Sequence, residues 1–307
     1  MAPPTAADPS LSLTPRQLLA QARRVRLQVR RAAAALPGGD FLSPFKGAGL
    51  AFEELRAYEP GDDIRHMDWN VTARLGHPYV RRFVEERELQ VLVLADLSAS
   101  LAFGAPGPTL RRAAEQIVAF LGLAAEEHRA RLGLALFTNH VESYVPPARG
   151  QRHLLRVLQV MIQARPAERG TSLHNACRFA CRVLRRRAVL FLISDWLAPW
   201  PESWLRRLGR RHEVVAVRLA HPRAERWPAV GPVLLEDLET GARSLVDTAR
   251  LQPQPRPDWE SVMGSARIDA LTLSSPTAAL PQFVGYLLGR GRTPGPDARI
   301  DPRAKRT

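Results

Sequence analysis

The sequence predicts an α/β protein with a doubly wound, mostly parallel sheet flanked by helices. Four short runs are apolar at nearly every position, which is typical of strands buried on both faces. Segments with apolar residues at helical spacing separate these runs. With 45% hydrophobic and 24% charged residues among 307, the chain can bury a sizeable core. The predicted strands are residues 89–95, 132–137, 188–193 and 214–219.

Helices are predicted between and after these strands, because leucine, isoleucine and alanine recur every three or four positions. Their predicted ranges are 109–128, 151–163, 172–186 and 200–209. After residue 220, the turn Glu239-Thr240-Gly241 predicts a hairpin with strands at 233–237 and 243–246. A Pro-rich linker at 253–257, an edge strand at 268–273 and a last helix at 277–289 follow.

The chain divides into four predicted parts. The leader, 1–39, carries a basic amphipathic helix at about residues 15–36. Residues 40–86 form a charged N-terminal extension with a short strand near 79–84, and 87–290 form the α/β domain, with its hairpin insertion near 231–247. The tail, 291–307, is basic and is expected to be disordered.

The positive charge is concentrated in three segments. The formal net charge is +14, and Lys46 and Lys305 are the only lysines, so nearly all of the cations are arginines. The surplus lies in residues 1–31, 178–211 and 290–307. Such clusters favour an acidic partner or belong to a solvated surface. Nucleic-acid binding through the arginines at 23–31, 182–187 and 206–211 is the alternative function, although aromatic interleaving and a known reader module are missing.

Cysteine usage and apolar run length predict a cytoplasmic protein. Cys177 and Cys181 lie four positions apart on one predicted helix face, where they are spaced for packing. This spacing fits a reducing compartment. No secretory signal is evident, and the longest apolar run, 117–125, is far shorter than the ~20 residues that cross a bilayer. Any membrane contact is therefore expected to be peripheral.

Polar side chains with oxygen atoms follow the predicted strands at one edge of the sheet. Ligands of such sheets bind beyond the carboxyl ends of the strands. Two carboxylates balance a divalent charge, and neutral hydroxyls complete the shell of a hard cation such as Mg²⁺, or alternatively Mn²⁺ or Ca²⁺. One position is left for water or for a partner's carboxylate, and the absence of His and Cys disfavours zinc and copper. The predicted metal ligands are Asp96, Ser98, Ser100, Thr171 and Asp195.

The other interpretation of these residues is helix capping. Ser98 and Ser100 would then cap the next helix, and Asp195 would cap another. Any one of the three loops alone favours capping, whereas all three at one edge favour a metal site. His174 is the histidine nearest this edge in sequence, but no catalytic triad can be assembled from the chain.

The Asp-x-Ser-x-Ser sequence at Asp96, followed by Thr171 and Asp195, resembles the metal-ion-dependent adhesion site of von Willebrand factor A-type domains over about residues 88–220. The upstream sequence FEELRAYEPGDDIRHMDWNVTAR further resembles the bacterial family named domain of unknown function fifty-eight. That resemblance implies an A-type fold and a partnership with AAA+ ATPases of the MoxR type. The chain departs from the family pattern at Arg169-Gly170-Thr171-Ser172, where members usually have Gly-Gly-Thr-Asp.

The expected function is a non-catalytic protein-interaction module, in which the metal accepts a carboxylate from a partner protein. This module would act as a partner or adaptor of a MoxR-type ATPase in the assembly or maturation of other proteins. A metal hydrolase is a weaker alternative, since a divalent ion can activate water. No general base is evident beside the predicted ligands, so an enzyme is not expected.

Overall fold

A computed structural model describes residues 54–59, 67–82, 89–102, 109–220, 230–237, 239, 241–250 and 258–290. The predicted leader with its basic helix, the Pro-rich linker and the basic tail lie outside these ranges. Within them the α/β fold class is confirmed, because most strands of the main sheet are parallel and helices cover both of its faces.

Strands and helices are numbered separately in chain order. The strands are β1 (Glu54–Ala57), β2 (Tyr79–Arg82), β3 (Gln90–Asp96), β4 (Arg131–Phe137), β5 (Val141–Ala148), β6 (Val189–Ser194), β7 (Glu213–Leu219), β8 (Pro232–Glu236), β9 (Arg243–Asp247) and β10 (Asp269–Leu273). The helices are α1 (Trp69–Leu75), α2 (Leu110–Glu127), α3 (Gln151–Gln163), α4 (Leu173–Val183), α5 (Glu202–Arg211), α6 (Trp259–Ser265) and α7 (Ala279–Arg290).

The main sheet has six strands in the order β10-β7-β6-β3-β4-β5. All neighbours are parallel except β4 and β5, which are antiparallel. The chain leaves β3 towards β4 on one side, and it leaves β6 towards β7 on the other. The carboxyl ends of β3 and β6 therefore flank the point where the winding direction reverses, which is where such sheets bind ligands.

The core has one layer on each face of the sheet because the side chains of each strand alternate. On β3, Val91 and Val93 face a layer that contains α2, α3 and α7. Leu92 and Leu94 face the opposite layer, which contains α4, α5 and α6. All four side chains are completely buried. Burying each one stabilises the fold by about 1.5–3 kcal/mol, which explains the nearly unbroken apolar runs in the sequence.

Besides the short strand β1, three elements were missing from the sequence prediction. β5 was not expected because Pro146 and Pro147 interrupt it, but an edge strand tolerates proline on its unpaired side. The short helix α1 begins at Asp68, whose carboxylate accepts hydrogen bonds from the amides of Asn70 and Val71. The third element, α6, has seven residues, too few for a periodic pattern to be distinctive.

The predicted hairpin is present as β8 and β9, which pair antiparallel as a separate two-stranded sheet. β1 and β2 pair in the same way within the predicted charged extension. No helix in the described ranges combines the length and the apolar character that a membrane span requires.

Gly209 of α5 provides a test of the packing between α5 and α6. A Cβ atom at this position would collide with the backbone carbonyl oxygen of Ala266, which follows α6. We expect Gly209→Ala to lower the melting temperature, although alanine ordinarily stabilises a helix by ~1 kcal/mol relative to glycine. The matched control is Gly264→Ala in α6, where the added Cβ meets no atom within 4 Å. Thermal denaturation that shows both substitutions to be stabilising would contradict this packing.

Candidate metal site

The carboxyl end of β3 places three of the predicted ligands in one tight loop. Asp96 is completely buried, and its Oδ1 accepts a hydrogen bond of 2.7 Å from the amide of Ser98. The hydroxyl oxygens of Ser98 and Ser100 lie 2.9 Å apart. The chain then enters a single 3₁₀ turn at Ala99–Ala102. This turn keeps the carboxylate and both hydroxyls on one short segment.

The carboxyl end of β6 brings a second carboxylate beside the first. The hydroxyl of Ser194 donates to Oδ2 of Asp96 at 2.6 Å, which ties β6 to β3. Asp195 follows, and its Oδ1 accepts from the amide of Leu197 at 3.1 Å. Trp196 then turns the chain sharply with a left-handed φ of 58°, which is uncommon for a residue other than glycine.

The left-handed turn is held in place by the packing of the Trp196 side chain. Its ring is buried, and Nε1 donates to the carbonyl of Val217 on β7 at 3.1 Å. The ring also packs edge-on against Trp259, with centroids 4.8 Å apart. These contacts fix the direction in which the chain leaves β6, and therefore the position of Asp195.

The loop that carries Thr171 is joined to both neighbouring strand ends. The amide of Ala99 donates to the carbonyl of Arg169 at 3.0 Å, and the amide of Ser172 donates to the carbonyl of Thr138 at 2.9 Å. Thr171 itself donates through Oγ1 to the carboxylate of Glu239 at 3.0 Å. Glu239 lies in the turn between β8 and β9, so the hairpin reaches the edge of the main sheet.

We call the set of Asp96, Ser98, Ser100, Thr171 and Asp195 the rim site. Within it, the first three side chains belong to one loop and are linked by its short hydrogen bonds. The charge of Asp195 acts on Asp96, and it also acts on Glu239, the hydrogen-bond acceptor of Thr171. The five predicted side chains therefore gather at one edge of the sheet.

The helix-capping interpretation does not match the structure. Thr109 is the N-cap of α2, and its Oγ1 accepts from the amide of Arg112. Ser172, and not Thr171, is the N-cap of α4. α5 begins after Pro201, without a side-chain cap. The rim hydroxyls and Asp195 are thus not used to start the three helices that follow them.

Burial and mutual repulsion dominate the electrostatics of the rim. Burial, and secondly the charge of Asp195, raise the pKa of Asp96 from 3.8 to about 7. Oδ2 of Asp195 is buried and has no hydrogen-bond partner. Among the ion pairs between described residues, none involves Asp96, Asp195 or Glu239. Two carboxylates are therefore held together without a compensating cation from the described part of the chain.

A divalent cation would provide the interactions that the two aspartates lack in the described part of the chain. It would supply a partner to the buried Oδ2 of Asp195, and it would offset the charge of the two aspartates. The donor set is entirely oxygen, as Mg²⁺, Mn²⁺ and Ca²⁺ prefer. In the described ranges, no three His, Cys, Asp or Glu side chains are grouped to hold a metal. A cation at the rim site would therefore require the neutral hydroxyls as ligands in addition to the two aspartates.

Sequence reasoning missed two residues at the rim, Ser194 and Glu239. The position of Ser194 beside the end of β3 follows from its place in a strand next to β3, so its hydrogen bond to Asp96 was open to prediction. Glu239 lies 68 residues from Thr171, and no local pattern reveals that the hairpin folds towards this edge. His174 is exposed and packs edge-on against Trp204, with ring centroids 5.8 Å apart.

Comparison with known proteins now assigns the family. Residues 54–267 match the family described as protein of unknown function DUF58, and the chain belongs to this family. An uncharacterized protein of Mycobacterium tuberculosis is 35% identical over 258 residues, which cover 82% of this chain and 80% of that protein. A protein of Mycobacterium bovis matches with the same identity and coverage.

Two solved structures align with part of the chain at low identity. The conserved hypothetical protein BatB from Bacteroides thetaiotaomicron aligns with a TM-score of 0.43 and 11% identity, covering 67% of this chain and 100% of that one. A von Willebrand factor type A protein from Catenulispora acidiphila aligns with a TM-score of 0.41 and 9% identity, covering 66% and 43% of the two chains. The family assignment depends on the sequence matches above.

The raised pKa of Asp96 predicts how the metal-free protein responds to pH. Between about pH 4 and pH 7 the folded state keeps the Asp96 proton that the unfolded state has lost, so stability falls as pH rises. Asp96→Asn removes this effect. In EDTA, its free energy of unfolding relative to wild type should rise by up to ~1.4 kcal/mol per pH unit in this window. Urea unfolding at pH 4 to 8 measures the two free energies of unfolding. A difference between variant and wild type that does not change with pH would contradict the prediction.

Proposed function

We propose that this protein is a non-catalytic, metal-dependent protein-interaction module, with a divalent cation at the rim site. Mg²⁺ is the proposed ion, with Mn²⁺ and Ca²⁺ as alternatives. The observation that carries this proposal is the buried Oδ2 of Asp195, which has no hydrogen-bond partner and lies beside the fully buried Asp96. Burying two such carboxylates is costly unless a cation accompanies them.

The rim side chains divide into two roles in this proposal. Asp96 and Asp195 would balance the charge of the cation, and the hydroxyls of Ser98, Ser100 and Thr171 would provide neutral oxygen ligands. The bound ion would act as a Lewis acid that accepts one further oxygen ligand. A carboxylate from a partner protein matches this position in charge and in donor type. The protein would therefore recognise acidic side chains on its partner.

The proposed partner is a MoxR-type AAA+ ATPase, which the resemblance to the family implies. In this role the chain would be a cytoplasmic adaptor in ATPase-assisted assembly or maturation of other proteins, with peripheral membrane contact at most. The proposed role is non-catalytic, because it requires the rim only to hold a cation and to bind a partner's carboxylate. Proton transfer is not needed for this function, whereas reversible binding is.

The adaptor function predicts magnesium-dependent capture of the purified MoxR-type ATPase from the same organism. Asp96→Ala should abolish capture because it removes a metal ligand, and Asp96→Asn should do the same with less disturbance of the fold. Glu127→Ala is the control, since Glu127 is exposed at the end of α2, where the chain returns to the amino-terminal end of β4. Pull-downs in Mg²⁺ and in EDTA provide the measurement.

Two outcomes count against this function in different ways. Capture that survives both EDTA and Asp96→Ala would show that the metal is not the contact. No capture under any condition would exclude the ATPase as the partner. Circular dichroism of each variant distinguishes loss of binding from loss of the fold.

Nucleic-acid binding is a second candidate, favoured by one surface. The exposed arginines of α4, α5 and the segment after α4 form a basic face. Among the described residues of this face, the structure shows one ion pair, between Arg206 and Glu202 at 3.2 Å. Trp204 adds an aromatic ring, and the Arg207 guanidinium lies 5.6 Å from its centroid. The arginines are Arg178, Arg182, Arg185, Arg186, Arg187, Arg206, Arg207, Arg210 and Arg211.

This candidate predicts a salt-sensitive interaction with DNA. A triple substitution of Arg185, Arg186 and Arg187 to alanine should elute from heparin or immobilised DNA at clearly lower salt, because fewer phosphates are neutralised. The control triple replaces Arg149, Arg152 and Arg156, which are exposed around the start of α3 on the other face of the sheet. Equal elution of the two triple variants would exclude a specific role for this face.

A further inference from the structure

Two rows of side chains face each other where α4 and α5 pack together. The rings of His174 and Trp204 meet edge-on near the start of the two helices, with centroids 5.8 Å apart. Further along, the charged groups of Arg207 and Arg211 act on Cys181. The members of each row recur at helical spacing, three or four positions apart. We call the two rows the α4–α5 seam: His174, Arg178 and Cys181 on α4, and Trp204, Arg207 and Arg211 on α5.

The seam carries positive charge without a compensating acidic side chain. The sequence of α4 contains no Asp or Glu. The single acidic residue of α5 is Glu202, which pairs with Arg206 at 3.2 Å. Arg178, Arg207 and Arg211 are exposed, and the structure shows no ion pair between them and a described residue. Like charges on facing flanks of packed helices repel, whereas opposite charges attract. An anionic ligand in the seam would offset this repulsion.

The seam begins at the edge of the sheet that carries the rim site. α4 starts directly after the loop of Thr171, with Ser172 as its N-cap, so His174 lies in its first turn. α5 follows the segment that leaves β6 through Asp195, and Trp204 lies in its first turn. The contact between the two rings is therefore at the end of the seam nearest the rim. A chain that reaches the rim with one carboxylate can continue along the arginines.

We propose that the α4–α5 seam binds an acidic polypeptide segment, which belongs to the partner whose carboxylate occupies the rim. This inference rests on the proposed function for the link to the rim, whereas the positive seam itself requires no metal. The 11 residues of α4 make the seam about 16 Å long. This length matches about five residues of extended chain. The partner segment would therefore carry several Asp or Glu residues within a short stretch.

The surroundings of Trp204 favour carboxylates over nucleic-acid bases as the ligand. A stacking platform requires an open ring face. The guanidinium of Arg207 lies over the Trp204 ring, 5.6 Å from its centroid, and the His174 ring meets it edge-on. The Trp204 side chain is also partly buried, so little of the ring is open to a base. Guanidinium groups bind carboxylates by charge-assisted hydrogen bonds, which need no stacking.

The test uses a fluorescein-labelled deca-glutamate peptide as the probe, in EDTA, with wild type and two double variants of the full chain. The seam variant is Arg207→Gln with Arg211→Gln. The matched control is Arg206→Gln with Arg210→Gln, which removes the same charge at the same spacing from the flank of α5 that carries Glu202. By fluorescence anisotropy, we expect the seam variant to bind the peptide about fivefold more weakly, from the loss of two exposed ion pairs. The control should bind it nearly as tightly as wild type.

Cys181 reports where the peptide binds. The chain contains two cysteines, of which Cys177 is completely buried and Cys181 is partly exposed in the seam. Bound peptide should therefore slow the alkylation of Cys181 by N-ethylmaleimide, an uncharged reagent, in wild type and in the control variant. In the seam variant, the same peptide concentration should slow it much less. A diffuse attraction of the peptide to a basic protein would not produce this difference.

The outcomes that would overturn the inference are distinct. Equal weakening in both double variants, an unprotected Cys181 or no peptide binding to wild type would exclude the seam as the site. Tighter binding and stronger protection by single-stranded oligothymidylate of the same length would replace the acidic polypeptide with nucleic acid.

A parallel titration in Mg²⁺ separates this inference from the proposed function. Mg²⁺ should strengthen peptide binding to wild type, because a carboxylate of the peptide then binds the rim. If Mg²⁺ has no effect, the proposed function fails at the rim, while binding that depends on the seam in EDTA still supports the seam as a site for acidic polypeptide.

Discussion

The placement of two buried carboxylates at the ends of adjacent strands is the constraint on which the rest of this site depends. Asp96 ends β3 and Asp195 follows β6, and these strands are neighbours in the sheet. Burial and the charge of Asp195 raise the pKa of Asp96 to about 7, so the metal-free site is electrostatically strained near neutral pH. Such an arrangement is stable only with a proton or a cation, and a divalent cation matches the oxygen donors around it.

Much of the surrounding structure serves to hold these carboxylates in position. Ser194 bonds to Asp96 and so links the two strands at their ends. Trp196 adopts a left-handed conformation that is maintained by its hydrogen bond to Val217 and by its packing against Trp259. Strain of this kind persists only where surrounding contacts determine the conformation. The opposite layer of the core therefore contributes directly to the geometry of the rim.

The sequence predicted the parts of this protein that depend on local patterns. The apolar runs became β3, β4, β6 and β7 within one or two residues, because burial on both faces excludes polar side chains from a central strand. The order of the rim residues in the chain was also sufficient to predict that they meet, since parallel strands deliver their carboxyl ends to one edge.

The features that sequence analysis missed depend on contacts between distant segments. β5 is an edge strand with two prolines, so neither its composition nor its alternation is typical of the sheet interior. Glu239 looked like an ordinary residue of a hairpin turn, and only the folded position of that hairpin brings it to Thr171. The unpaired oxygen of Asp195 likewise becomes apparent only when the surrounding donors are known.

Calorimetric titration of the wild-type chain with Mg²⁺ at pH 7 tests most directly whether the rim holds a divalent cation. Parallel titrations in buffers of different ionisation enthalpy measure proton release. Because Asp96 is partly protonated at this pH, binding of one ion per chain should release a fraction of a proton, and the release should disappear near pH 9. Absence of saturable binding, or binding without proton release at pH 7, would contradict a metal ion held by Asp96 and Asp195.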